Sequence, residues 1–480
     1  MQSQILIAKL FIKTTFKNKA VFMLSCFIGL LLVFATYSGY INFKNQNEIR
    51  AKYQTEARQD WVNNPDKHPH RMAHYGNFAF RPKSALSVFD FGMESFLGNT
   101  IFLEAHVQNT TNFSEAEFST GLLRFGEISI AMILQVLLPL LIFFLGFGCI
   151  ATERENGTLK ILLSQGLSWR KLILGKSLGI TSVVMILYLP VIIITILTWI
   201  LLQKIKINLD ETMRLLLLSV SYFLYLSIFS IIAVVVSAVS KTSKNALTSL
   251  IGLWLLFTIL LPRASQSLGA YLYEIPSKAK FYAQIEADVI KTGDSHNTND
   301  PHYKALKDSL LAVYKVDSVQ QLPFNYSGFQ MREGERISAS IYNIHLAKLR
   351  DIYANQNSFS KIIAFVNPFL AIKNLSMALA ETDYASYQDF QDQAEAYRYH
   401  ISQEMNELQI KYISNKAKNS ASKINIIDKK NWEASDDFVY KPSKISLVFA
   451  NEWLSILSLI AWILLLYFMI IEMSKTLKAI

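Results

Sequence analysis

Six stretches of the chain contain no Asp, Glu, Lys or Arg and are each long enough to cross a lipid bilayer. A hydrocarbon core about 30 Å thick requires roughly 20 apolar residues of helix, because lipid offers no partner to backbone amides outside a helix. The pattern therefore predicts an all-α polytopic membrane protein with six transmembrane helices. The predicted spans are residues 20–43, 128–152, 173–203 (uncharged from Ser177), 215–240, 245–262 and 453–471.

Two long inserts separate these spans. Charged residues make up 18% of the chain, too many for a protein that lies wholly in lipid, and they predict soluble regions at 44–127 and 263–452. Spaced apolar residues near 331–355 and 387–415 predict two long helices in the second insert, and 417–435 reads as a linker. Cys26 and Cys149 both fall in spans, so neither insert relies on a disulfide.

The distribution of lysine and arginine predicts the orientation, since positive charges near span ends resist translocation. They collect in 1–19, in the turn 153–172, in the turn after the fourth span and in the tail 472–480. We therefore expect both termini in the cytoplasm and both inserts outside it. The net charge of +10 reflects such loops, and we expect no nucleic-acid partner. The third-to-fourth loop has Lys204, Lys206 and Arg214 offset by Asp210 and Glu211.

The first 19 residues have the pattern of a helix on the membrane surface. Lys9, Lys13 and Lys17 recur every four residues, and apolar residues lie between them. This pattern predicts a cytoplasmic elbow helix at the lipid interface. The alternative is a basic flank that only enforces orientation.

The turn at 153–172 is the most informative polar break. Three charged residues end the second span, an Asn-Gly pair favours a tight turn, and a threonine can cap a short apolar helix. Leucines without lipid or a core to enter generally await a protein partner. The alternative is a helix folded back onto the bilayer. The candidate partner-contact residues are Glu153, Arg154, Glu155, Gly157, Thr158, Leu159, Leu162 and Leu163.

At these residues the chain resembles the permease subunits of type 2 ABC exporters, in which a Glu-Arg-Glu-x-Gly-Thr-Leu run leads into the element that contacts the nucleotide-binding subunit. The wider arrangement resembles one bacterial branch of that family, which is described only as a domain of unknown function. That branch has one large insert after span one and another after span five. Further stretches that carry this resemblance are 74–82, 103–106, 262–263 and 367–378.

The resemblance implies a non-enzymatic permease in a bacterial inner membrane, paired with a second permease subunit and with separate ATP-binding subunits. The chain has no Gly-x-x-x-x-Gly-Lys-Ser/Thr phosphate loop. We therefore expect it to bind no cofactor, with ATP and Mg held by the partner. Two functions remain open: export of a hydrophobic, amphipathic or small peptide substrate, and transmission of force through the inserts to an envelope protein. A membrane-anchored sensor or enzyme ranks third.

All eight histidines lie in the inserts. Histidine is a favoured metal ligand where cysteine is absent, and Met72 nearby could suit copper. Polar segments are nevertheless where histidines ordinarily occur, so the spacing alone leads us to expect no metal site. The candidates, should one exist, are His68, His70 and His74.

Overall fold

The computed structural model describes residues 2–109, 128–202, 208–297, 299–415 and 425–477. Lys204, Lys206 and residues 417–424 of the expected linker lie outside these ranges. The described chain is almost entirely helical. Its elements are α1 Gln2–Thr15, α2 Lys19–Val62, α3 Pro69–Tyr75, β1 Asn77–Phe80, a 3₁₀ turn Ala85–Val88, α4 Glu94–Leu97, β2 Thr100–Leu103, α5 Ile130–Glu155, α6 Thr158–Ser164, α7 Trp169–Leu202, α8 Leu209–Val239, α9 Ser243–Leu272, α10 Lys278–Thr292, α11 Pro301–Tyr314, a 3₁₀ turn Val319–Gln321, α12 Tyr326–Ile363, α13 Pro368–Leu379, α14 Tyr384–Tyr412, α15 Lys430–Glu433 and α16 Ile445–Thr476.

Six of these helices, α2, α5, α7, α8, α9 and α16, are long and apolar enough to cross a membrane. They pack into one bundle in which α8 is central and the most buried. The ring of Phe229 in α8 lies 5.4 Å from that of Phe143 in α5 and 6.2 Å from that of Phe257 in α9. Packing of this kind holds spans together in lipid, where burial of apolar surface gives no net gain. The prediction of an all-α polytopic protein with six spans is confirmed.

Two spans contain a widened, π-helical turn, at Ile133–Leu137 in α5 and at Leu256–Leu260 in α9. Such turns free backbone carbonyls from the regular ladder, and they occur often at functional sites. Side chains of neighbouring spans supply donors to the first of them. The Trp254 indole donates to the Val136 carbonyl at 2.9 Å, and the Tyr225 hydroxyl donates to the Gln135 carbonyl at 2.6 Å.

Several spans extend beyond the expected limits. α2 continues without a break to Val62, supported by i,i+4 ion pairs such as Lys44 with Glu48. α9 runs on to Leu272, and α16 begins at Ile445 but has one non-helical residue, Glu452. A 44-residue helix is about 66 Å long, so α2 projects well past a bilayer core of about 30 Å.

The segment 364–379, which belongs to the second insert, packs inside the bundle. The Trp462 indole of α16 donates to the Phe365 carbonyl at 2.9 Å, and the Asn367 amide donates to the Phe257 carbonyl at 2.8 Å. α13 then packs between α8 and α16 with most of its residues buried. Its 12 residues are too few to span a bilayer, so hydropathy alone could not reveal it.

The two inserts fold together into one insert domain, which we define as residues 63–109, 273–363, 384–415 and 425–444. α12 and α14 pack on each other, as the sequence predicts. β1 and β2 pair antiparallel, with Asn77 opposite Leu103, and the hairpin shares a core with α14. The end of α2 is fixed to this domain by the Trp61 indole, which donates to the Trp432 carbonyl at 3.0 Å.

Candidate coupling site

The turn between α5 and α6 depends on Gly157, which has φ +75°. This left-handed conformation costs a residue with a Cβ roughly 1–2 kcal/mol. The Gly157 amide donates to the Arg154 carbonyl at 3.1 Å, and the Thr158 hydroxyl donates to the Glu153 carbonyl at 3.1 Å. α6 is therefore mounted directly on the end of the second span.

Glu153 connects this turn to the third span. Its carboxylate lies 2.5 Å from the Lys176 ammonium in α7. Both side chains are largely buried, so bulk water screens this pair less than an exposed pair.

Arg154 connects the turn to the fourth span. Its guanidinium donates to the Ala238 carbonyl at 2.7 Å and also to the Ser240 carbonyl, which are orphan acceptors at the end of α8. It also lies over the ring of Trp169, the first residue of α7, 5.9 Å from the ring centroid. A cation at a helix C-terminus complements the helix dipole.

Glu155 connects the turn to the fifth span. Its two carboxylate oxygens accept from the Ser243 amide at 3.1 Å and from the Ser243 hydroxyl at 2.6 Å, at the start of α9. An acid at a helix N-terminus is favourable for the same electrostatic reason. Three consecutive side chains therefore link the end of α5 to α7, α8 and α9.

The side chains of α6 differ in how far they are exposed. Leu159 is fully buried and anchors the helix, and Leu162 and Leu163 are half-buried, the latter against the bundle core. The exposed side chains of α6 are Thr158, Lys160, Ile161 and Ser164, and Ile161 is 57% exposed. Leu159 is thus used within the chain, and Ile161, which the sequence analysis did not name as a candidate, is the most exposed apolar side chain of α6.

The elbow helix α1 packs against the start of α7 at the same end of the bundle. Gly175 and Gly179 lie one turn apart on α7, and Ile7 and Phe11 of α1 fit against them. A Cβ placed on either glycine would come within 2.9 Å of these side chains. The close approach of two backbones through paired glycines is a common helix–helix contact in membranes.

A cavity of about 220 Å³ lies between the bundle and the first insert. Its lining includes Asp90, Gln135 and Lys373, so it brings charged groups to the bundle although the spans themselves have few. Ser376 of α13 donates to Asp90 and also contacts the Tyr222 hydroxyl at 2.9 Å. Sequence reasoning missed this cavity because its charged groups come from the two inserts.

Of the three candidate metal ligands, the structure brings His70 and His74 together and leaves His68 apart. His68 caps α3, with its Nδ1 accepting from the His70 amide at 3.2 Å. His106 and His296 join the pair from distant parts of the chain. Met72 is fully buried in an apolar cluster with Trp61 and Trp432, which gives no support to a copper–thioether site.

The fold defines a polytopic α-helical membrane protein with six candidate spans among the described residues. Residues 99–280, which include four spans and α6, match the model of the ABC-2 family transporter protein. Residues 278–441 match the model of a domain of unknown function, DUF3526. The chain therefore matches an ABC-2 family permease with an extended region of unknown function. Comparison with curated proteins found no match.

Proposed function

We propose that this permease is the membrane subunit of an ATP-driven exporter and that a separate ATP-binding subunit docks on α6. The observation that supports this is the linkage of α5 to α7, α8 and α9 through Glu153, Arg154 and Glu155. A displacement of α6 would pass to four spans together. Closure of an ATPase pair would thereby switch the bundle between two packings.

In this proposal the docking surface is centred on Ile161 and Lys160. The side chains of the Glu-Arg-Glu run already have partners within the chain, so they transmit force rather than form the main contact. Leu159 keeps α6 from moving independently of the bundle, because its side chain is fully buried.

We infer the remaining subunits of the assembly and its orientation in the membrane from the family and the charge distribution. We place the chain in a bacterial inner membrane with α1 and α6 in the cytoplasm and the insert domain outside. A second permease subunit, identical or related, completes the pathway, and ATP and Mg belong to the ATP-binding subunits. The cavity lined by Asp90, Gln135 and Lys373 would bring polar groups into contact with one part of an amphipathic substrate.

A specific observation favours a second candidate, the transmission of force to an envelope partner. α2 passes from the bundle into the insert domain as one continuous helix. Arg58 fixes its far end by donating to the Glu433 carbonyl at 2.7 Å and to the Ser435 carbonyl at 2.9 Å. Tilting of the first span would therefore move the insert domain directly.

Site-specific photocrosslinking tests the docking surface. A photoreactive amino acid at Ile161 should crosslink, in membranes of the native cell, to a protein that mass spectrometry identifies as an ATP-binding subunit. Ile193 of α7 is the matched control, because it is 56% exposed but lies within a span. Ile161 adducts with phospholipid alone, like those of Ile193, would contradict the proposal.

Arg58→Ala separates the two functions in the purified complex. Force transmission predicts that ATP with vanadate changes hydrogen exchange in the insert domain of the parent complex, and that the variant loses this change while its ATPase activity continues. Export predicts ATP-dependent movement of an amphipathic probe, such as a headgroup-labelled phospholipid, in both proteins.

A further inference from the structure

Four histidine rings from both inserts meet at one point of the insert domain. Ring nitrogens of His70, His74 and His106 all lie within 4.8 Å of one another. The ring of His296 completes the group, with its centroid 5.1 Å from that of His106 and 6.3 Å from that of His70. Four imidazoles so close together form an unusual cluster in a domain without cysteines.

Local structure places the first pair. His70 and His74 are four residues apart on α3, so both side chains lie on the same face of the helix. Pro69 at the first helical position and the His68 cap fix where this helix begins. The opposite face carries Met72 into the apolar core.

His106 is oriented by a buried carboxylate. It has φ +64°, its amide donates to Glu335 at 2.8 Å, and its Nδ1 lies 3.2 Å from the same carboxylate. Arg398 contacts the other oxygen of Glu335 at 2.7 Å. His106 Nε2 is buried with no hydrogen-bond partner among the described residues. A histidine whose second nitrogen binds a carboxylate is the arrangement that orients metal-binding imidazoles.

The loop that carries His296 is held against α12. The Gln330 amide donates to the Ser295 carbonyl at 2.6 Å. Ser295 packs closely on Gly334, because a Cβ added to Gly334 would lie 2.4 Å from the Ser295 hydroxyl. One turn of α12 thus positions His296 through Ser295 and His106 through Glu335.

The charge state of the cluster suits metal ligands. Burial, followed by the nearby histidines, lowers the pKa of His70 to about 3, and burial also lowers the pKa of His74 and His296. Burial raises the pKa of Glu335, but the hydrogen bond from His106 and the charge of Arg398 outweigh it and hold the pKa at about 2. These shifts favour the neutral forms of His70, His74 and His296 and the ionised form of Glu335.

We propose that His70, His74 and His106, with His296, bind one divalent transition-metal ion, and that this ion is Zn²⁺. Neutral imidazole nitrogens suit zinc. Structural sites in proteins bind zinc tetrahedrally, with Zn–N distances of about 2.0–2.1 Å. Nitrogens around such an ion are about 3.3 Å apart, so modest side-chain rotation would close the site. The ion would join the first insert to the second, as a disulfide does in other extracytoplasmic domains.

The test uses the full-length chain in detergent, purified with a tag free of histidine and stripped with EDTA. The stripped chain is reloaded with Zn²⁺ and dialysed before bound Zn²⁺ is counted, and Co²⁺ is titrated separately because its visible absorption reports four-coordination. The parent chain should retain about one Zn²⁺ and should give an intense Co²⁺ band. His106→Ala should weaken binding by more than about 100-fold, since loss of an outer-shell group alone costs roughly 10–100-fold.

Two further variants keep the test interpretable. Glu335→Gln should weaken Zn²⁺ binding by roughly 10–100-fold and leave the number of sites unchanged. His400→Ala is the matched control, because His400 is exposed and lies outside the cluster. Size-exclusion chromatography and circular dichroism show whether each variant is folded. If His106→Ala does not fold, His74→Ala replaces it, because His74 is an exposed ligand.

The proposal is overturned if the parent chain binds no more Zn²⁺ than His74→Ala, or if His400→Ala loses as much as His106→Ala. Binding of Cu²⁺ without Zn²⁺ would overturn the assignment of zinc. None of these readouts depends on ATPase activity or transport, so they stand apart from the proposed function.

Discussion

Replacement of Arg214 by methionine should destabilise the protein much more than loss of an exposed arginine. Arg214 is 1% exposed, lies 2.9 Å from Asp210 and donates to the carbonyls of Ala378 and Ser443 at 3.1 and 2.6 Å. It thereby ties together α8, α13 and the start of α16. Removing one partner of a buried ion pair costs about 3–5 kcal/mol.

The size of the effect can be converted into a melting temperature. An unfolding entropy of about 2 cal/mol/K per residue gives roughly 1 kcal/mol/K for a chain of 480 residues. Arg214→Met should therefore lower Tm by about 3–5 °C if the chain unfolds as one unit. Arg350 is the matched control, since it pairs with Asp392 at 2.5 Å but the two side chains are 30% and 59% exposed, and pairs open to solvent contribute about 0–1 kcal/mol.

Tryptophan fluorescence during heating at one scan rate, in one detergent, measures both variants. Equal shifts for Arg214→Met and Arg350→Met would refute the reasoning, because they would mean that burial of the first ion pair contributes nothing to its strength. A shift below about 1 °C for both would exclude the proposed tie between α8, α13 and α16.

Three further variants probe the coupling end of the bundle. Glu155→Gln should weaken the contact with Ser243 and lower ATPase stimulation in the complex without reducing membrane insertion; normal stimulation would argue against the linkage. Gly157→Ala should cost about 1–2 kcal/mol through backbone strain alone, because no atom lies within 4 Å of the added Cβ, and a thermal melt checks this. Gly179→Leu should push Phe11 off the third span and make α1 more susceptible to added protease, whereas unchanged cleavage would show that the glycine contact does not hold the elbow.

The spans were predictable because backbone amides in lipid must find their hydrogen-bond partners within a helix or a closed barrel. A long uncharged helix is visible in any sequence. The extension of α2 to Val62 also had a signal, since residues 44–62 contain neither glycine nor proline. The buried position of α13 had none, because a helix of 12 residues in a charged insert reads as soluble. Its place depends on contacts with residues more than a hundred positions away, such as Asn367 with Phe257.

The site shows the same division between local and distant information. The Asn-Gly turn and the short helix after it can be read from neighbouring residues, and so can His70 and His74 on one helical face. The hydrogen-bond partners of the Glu153, Arg154 and Glu155 side chains cannot, because they lie 23 to 88 residues further along the chain. His106 and Glu335, 229 residues apart, meet only through the folding of both inserts.

The length of α2 has a geometric consequence. Measured from the middle of its membrane part, near residue 31, the helix reaches about 46 Å to Val62 at 1.5 Å per residue. A tilt of about 10° at that pivot carries Val62 sideways by roughly 8 Å, while the residues at the pivot stay almost still. The helix is a lever arm, and a small rearrangement at the membrane centre becomes a stroke several times larger at the point where Trp61 meets Trp432.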